Sequence, residues 1–89
     1  MKTSTQASYD RIFSIRVGST LSIAQNATIG DHRGLYVATS AIVDVTFTNL
    51  DNTTSSVRFP SGISVVLPLR IKSYLATSNG DSLYMYGLL

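Results

Sequence analysis

The chain has no cysteine, no tryptophan and no glutamate, and it has a single histidine. Each absence removes a class of chemistry. Without cysteine there are no disulfides, no zinc–thiolate sites and no thiol nucleophile. One histidine cannot build a His-rich metal centre, and no cofactor is expected. Charge is also scarce, at 13% of residues, and all five acids are aspartate. A net charge of +2 from seven basic residues spread along the chain is not the basic stripe of a nucleic-acid binder, so no nucleic-acid partner is expected. No apolar run approaches the ~18 residues of a membrane span, which argues against a membrane partner. Residues 1–10 lack the apolar stretch of a secretory signal peptide. The two Asn-x-Thr sequons, at Asn26 and Asn52, then read as chance matches in a threonine-rich chain. Met1 and the missing cysteines point to a protein made in a cytoplasm.

What is present favours strands. Serine and threonine supply 23 of the 89 residues, and Val, Ile, Tyr and Thr suit a pleated surface better than a helix. A chain of this length forms one domain that buries roughly 60–65% of its unfolded surface, a thin core. Small domains gain stability from disulfides, metals or association. Association is the route left open here, as a homo-oligomer or by docking on a larger body. A surface rich in neutral hydroxyls costs little to desolvate against a partner.

The chain divides into an extended or disordered N-terminal arm, residues 1–11, and a single β domain, residues 12–89. The arm reads as a frayed terminus or as a segment that orders against a neighbouring subunit, with Tyr9 as its anchor. From Ile12 the side-chain period is two. Phe13, Ile15, Val17, Leu21 and Ile23 share one parity, and Ser14, Arg16, Thr20 and Ser22 share the other, with Gly18 marking a bulge or bend. Residues 24–34 read as a loop, and Leu35–Thr39 as a short strand. Over residues 41–48, Ala41, Val43, Val45 and Phe47 face inward while Ile42, Asp44, Thr46 and Thr48 face outward. Asn49-Leu50-Asp51-Asn52 predicts a hairpin turn to a partner at Ser55–Phe59, with Val57 and Phe59 inward and Arg58 outward. Ile63, Val65, Leu67, Leu69 and Ile71 share a parity, so Pro68 makes this strand an edge or divides it. Ser78-Asn79-Gly80-Asp81 predicts a terminal hairpin between residues 72–77 and 82–88. Short strands with turns every 8–12 residues indicate an all-β fold, a small antiparallel β-sandwich or barrel.

Residues that could carry chemistry are few. Asp31-His32-Arg33 places the one histidine in a polar loop, where it reads as a solvated side chain. Asp44 reads as a surface carboxylate without a catalytic partner. Asn49, Asp51 and Asn52 lack the spacing and bidentate acid of a calcium loop. No Gly-x-Ser-x-Gly elbow or phosphate-binding glycine loop occurs. A small hydrolase or metal enzyme would have to rest on Asp31, His32 and Asp44; no enzyme is expected. Arg16, Arg58 and Arg70 take the outward parity of their strands, as do Tyr74, Tyr84 and Tyr86. These residues serve solubility and packing, or they are interface contacts.

Leu35-Tyr36-Val37, Val43-Asp44-Val45-Thr46-Phe47, Phe59-Pro60-Ser61-Gly62, Leu67-Pro68-Leu69-Arg70-Ile71, Ala76-Thr77 and Leu83-Tyr84-Met85-Tyr86 follow one another in an order that resembles small structural proteins of tailed-phage virions. The type is the spike base or capsid decoration, also found in phage-like gene transfer agents. The similarity spans about residues 34–88. Where that family carries a "Gly-Thr-Thr-Ala" run after Ala-Thr, this chain carries Ser78-Asn79-Gly80-Asp81. The resemblance implies a β-domain in the virion, bound to the capsid exterior or the major capsid protein as a symmetric homo-oligomer. Its contacts would then come from Tyr9, Arg16, Arg58, Arg70, Tyr74, Tyr84 and Tyr86. The alternative is a receptor- or glycan-binding module of a fibre or tail tip, stacking sugars on Tyr74, Tyr84 and Tyr86.

Overall fold

The computed structural model describes residues 9–89; the expected arm, residues 1–11, lies mostly outside that range. Asp10 and Arg11 both donate main-chain N–H groups to the carbonyl of Leu89, which bind the first described residues to the end of the chain. Eight strands follow: β1 (Ile12–Val17), β2 (Thr20–Leu21), β3 (Gly34–Thr39), β4 (Val43–Thr48), β5 (Thr54–Phe59), β6 (Ser64–Leu67), β7 (Ser73–Ser78) and β8 (Leu83–Leu88). They form two antiparallel sheets, a five-stranded one in the order β2-β1-β8-β3-β6 and a three-stranded one in the order β5-β4-β7. The fold is an all-β sandwich. Its core joins Ile15, Leu35, Val37, Leu83 and Met85 of the larger sheet to Val43, Val45, Phe47, Phe59 and Tyr74 of the smaller.

The register shows how the layers arise. β4 pairs with β5 so that Val43 lies opposite Phe59. Five residues back and five residues on, the pairing resumes between Ala38 of β3 and Ser64 of β6 with no slip. One long hairpin, tipped at residues 49–53, is therefore folded across both sheets. The same holds on its other side, where Asp44 faces Ser78 of β7 and, five residues away, Thr39 faces Leu83 of β8. A three-stranded ribbon thus bends once, at residues 40–42, 60–62 and 79–82, and closes on its own apolar face.

Side chains stitch the bend together. Thr39 Oγ1 donates to Pro60 O at 2.6 Å and the Asn79 amide donates to Ile42 O at 2.8 Å. Pro60 and Gly62, which has φ 75°, let the outer arm turn where a continuing ladder would block it.

The bend also explains the C-terminal half. Ser78–Asp81 does not close a hairpin: β7 pairs with β4 and β8 pairs with β1 and β3. A type I′ turn needs positive φ at both central residues. Asn79 has φ 55°, but Gly80 is not in the left-handed region and opens a short 3-10 turn instead, so the chain crosses between layers. The tight two-residue reversal lies at Gly18-Ser19, where Gly18 has φ 61° and joins β1 to β2.

β1 departs from simple alternation. Its pairing with β8 shifts between Ser14 and Arg16, a β-bulge at Ile15. The extra residue puts Arg16 opposite Met85 on the inner face, so this arginine, expected outside, is buried. Phe13 keeps its place by lying across Gly87, where any Cβ would overlap its ring. Pro68 acts in both expected ways, since β6 is an edge strand and ends at Leu67. Val57 has inward parity yet is 38% exposed, because β5 too is an edge.

Candidate interaction surface

The strand alternation turns only uncharged strand residues to the outer face of the five-stranded sheet, among the described residues. Cross-strand partners share a face, so Val66, Tyr36, Tyr86 and Ser14 form one row, and Ser64, Ala38, Tyr84 and Val17 the next. Ile12 and Val66 are 56% and 50% exposed, a high value for aliphatic side chains on a sheet. The Tyr36 and Tyr86 rings are tilted at 49° with centroids 5.9 Å apart, within the favourable range for an aromatic pair. The Tyr36 hydroxyl hydrogen-bonds the Ser64 hydroxyl, which fixes the ring over β6.

Tyr9 closes one end of this face. Its hydroxyl lies 2.7 Å from where a Cβ on Gly34 would be, and its ring has the Arg33 guanidinium carbon 5.4 Å from its centroid. The structure therefore gathers Tyr9, Tyr84 and Tyr86 on one surface. It adds Tyr36, which the sequence reading missed. The signal was there: Leu35 and Val37 are inward, so the residue between them must face out.

The other expected contacts separate. Arg58 lies on the outer face of the smaller sheet, where Nε and Nη2 grip Asp44 at 2.8 and 3.3 Å. The hydrogen bonds from Arg58 lower the Asp44 pKa, and its positive charge lowers it further. Arg70 sits at the rim of an apolar groove of about 330 Å³ between the sheets, walled by Phe47, Val57, Phe59, Leu67 and Leu69.

Two expected contacts are internal. Tyr74 is 1% exposed, and its hydroxyl donates to Ile23 O at 2.9 Å, because the segment between β2 and β3 folds over β7. A sugar-stacking set of Tyr74, Tyr84 and Tyr86 is thereby broken up. Arg16 Nε donates to Gly18 O and Gly80 O, its Nη2 lies 3.6 Å from Asp81, and it ties the β1–β2 turn to the bend.

His32 is not solvated; it is 1% exposed. Its Nε2 accepts the Ile71 N–H at 3.1 Å, so Nδ1 carries the hydrogen and donates to Gly30 O at 2.9 Å. The loop needs a two-sided polar bridge inside the sandwich, and imidazole supplies one. Asp44 is held by Arg58 on an outer face, so the structure does not bring Asp31, His32 and Asp44 together as a reaction centre.

Compared with protein-family models, characterised proteins and solved structures, the chain matches none.

Proposed function

We propose that the protein is a structural subunit of a tailed-phage virion, a capsid-decoration or head-spike-base protein that docks through the outer face of its five-stranded sheet. The observation that carries this reading is the tyrosine-bearing row of uncharged strand residues that includes Tyr36, Tyr84, Tyr86 and Val66. Tyrosine presents a large contact area at low conformational cost and is enriched where proteins dock. The resemblance across residues 34–88 supplies the kind of assembly. A thin, cysteine-free core supplies the reason for repeated copies, since closed symmetric association stabilises domains that are weak alone.

Particles purified from producing cells test the proposal. The protein should co-purify with virions in a fixed ratio to the major capsid protein, and a reconstruction should place it on the exterior. Particles that form normally and never contain it would sink the idea.

A further inference from the structure

The sandwich has four sheet edges and guards three of them. β2 is two residues long. β7 is covered by the segment before β3, where Asn26 and Ile29 donate N–H groups to Tyr74 O and Lys72 O, each at 2.9 Å, and Gln25 Oε1 accepts the Ala76 N–H at 2.6 Å. β6 is four residues long and runs into Pro68, which has no N–H. Among the described residues, β5 has none of these devices. It runs six residues without proline, lysine or bulge, and its one charge, Arg58, is drawn back onto β4 by Asp44. Unguarded edges of this kind pair with further strands.

The hairpin geometry identifies the free groups. Asn49 N–H donates to Thr53 O at 2.7 Å, and Asn52, at φ 70°, closes the three-residue loop. Antiparallel ladders alternate between bonded and non-bonded pairs. The main-chain groups of Ser55, Val57 and Phe59 therefore face β4, and those of Thr54, Ser56 and Arg58 face outward.

We propose that a second copy of this chain occupies the edge, its β5 running antiparallel across a two-fold axis at Ser56. In that register Ser56 meets its counterpart, and Thr54 meets Arg58 of the second copy. All three outward residues exchange main-chain hydrogen bonds, and no like charges stand opposite each other. Val57, now 38% exposed, packs against Ser55 of the second copy and closes the mouth of the groove. The two three-stranded sheets become one sheet of six strands. The pairing deepens the assembly reading by naming the contact between copies, and it rests on that reading for the expectation that copies associate.

The absence of cysteine makes the test clean, because a Ser56→Cys variant can form only an intermolecular disulfide. The register places the two Cα atoms about 5.5 Å apart, inside the usual disulfide range of about 4.4–6.8 Å. Mild oxidation should convert most of S56C into covalent dimer at micromolar concentration, while Thr20→Cys, exposed on β2, should not cross-link. Ser56→Pro removes an outward N–H and leaves the β4 ladder intact. It should weaken dimerisation at least tenfold in sedimentation equilibrium, with an unchanged far-UV CD spectrum. Equal cross-linking of S56C and T20C, or a dimer indifferent to S56P, overturns the pairing. Selective S56C cross-linking in a protein that joins no particle supports the pairing and sinks the virion reading instead.

Discussion

Arg16 Nε donates to the carbonyl oxygen of Gly80 at 2.8 Å, fastening β1 to the place where the chain crosses from one sheet to the other. The same nitrogen reaches Gly18 O at 2.9 Å, so one buried cation holds two turns. Replacing it leaves two carbonyls short of a partner, at about 1–3 kcal/mol for each buried group left unsatisfied. The burial of Nη1 without a partner offsets part of that gain. Arg16→Met should therefore destabilise the protein by about 1–3 kcal/mol, read as a lower urea midpoint at unchanged m-value. Gly80→Ala should do similar damage from the opposite side, since its Cβ would lie 2.6 Å from Arg16 Nη2. The double variant should cost less than the sum of the two.

His32 bridges the loop before β3 to the strap after β6. Substituting Leu keeps the volume and removes both hydrogen bonds, leaving Gly30 O and the Ile71 N–H unpaired. His32→Leu should lower stability by about 2–4 kcal/mol, or a melting temperature drop of about 4–8 °C per kcal/mol for a domain of this size. A variant as stable as the wild type would refute the bridging role.

Acid should weaken the fold through two aspartates, Asp44, which is half-buried, and Asp51, which is exposed. Hydrogen bonds and charge from Arg58 lower the pKa of Asp44, and hydrogen bonds from the Thr53 hydroxyl and N–H lower that of Asp51. A carboxyl whose pKa is depressed on folding contributes stability above its unfolded value, about 3.9, and loses it as pH falls through the folded value. The melting temperature should thus fall below about pH 4. Asp44→Asn should flatten that limb, and added salt should mimic the substitution because the pair lies at the surface. Thermal melts from pH 7 to 2 at low and high salt check both statements.

Some of this architecture is legible in residue order, and the reasons differ by element. β4 is readable because it lies mid-sheet with one face buried, so Val43, Val45 and Phe47 alternate cleanly with Asp44, Thr46 and Thr48. β1 is not, since one inserted residue at Ile15 reverses the parity of the rest of that strand, and Arg16 goes inside while Val17 turns out. Asn79-Gly80 carries a strong reversal signal, yet whether two strands pair depends on which layer each joins. Tyr74 and His32 are hidden by long-range contacts, the first by the segment from Ile23 and the second by Ile71. Of the outer face proposed to dock, Tyr84 and Tyr86 are readable from parity, as is Tyr36. Their meeting in one row depends on β8 lying between β1 and β3, a neighbourhood that local periodicity does not encode.

The proposed docking face yields the sharpest functional prediction. Tyr86 is half-buried and packs at a tilt against Tyr36, with its cross-strand partner Ser14 on the other side. A lysine there puts a charge among uncharged strand residues that must be dried on contact, and a buried unpaired charge is costly. Its alkyl stem still covers the strand, so the fold should survive. Tyr86→Lys should reduce association with particles at least tenfold, with a melting temperature within a few degrees of wild type. Arg58→Ala, on the opposite face, should leave association unchanged. Particle binding that tolerates Y86K and fails with R58A would move the docking site to the three-stranded sheet.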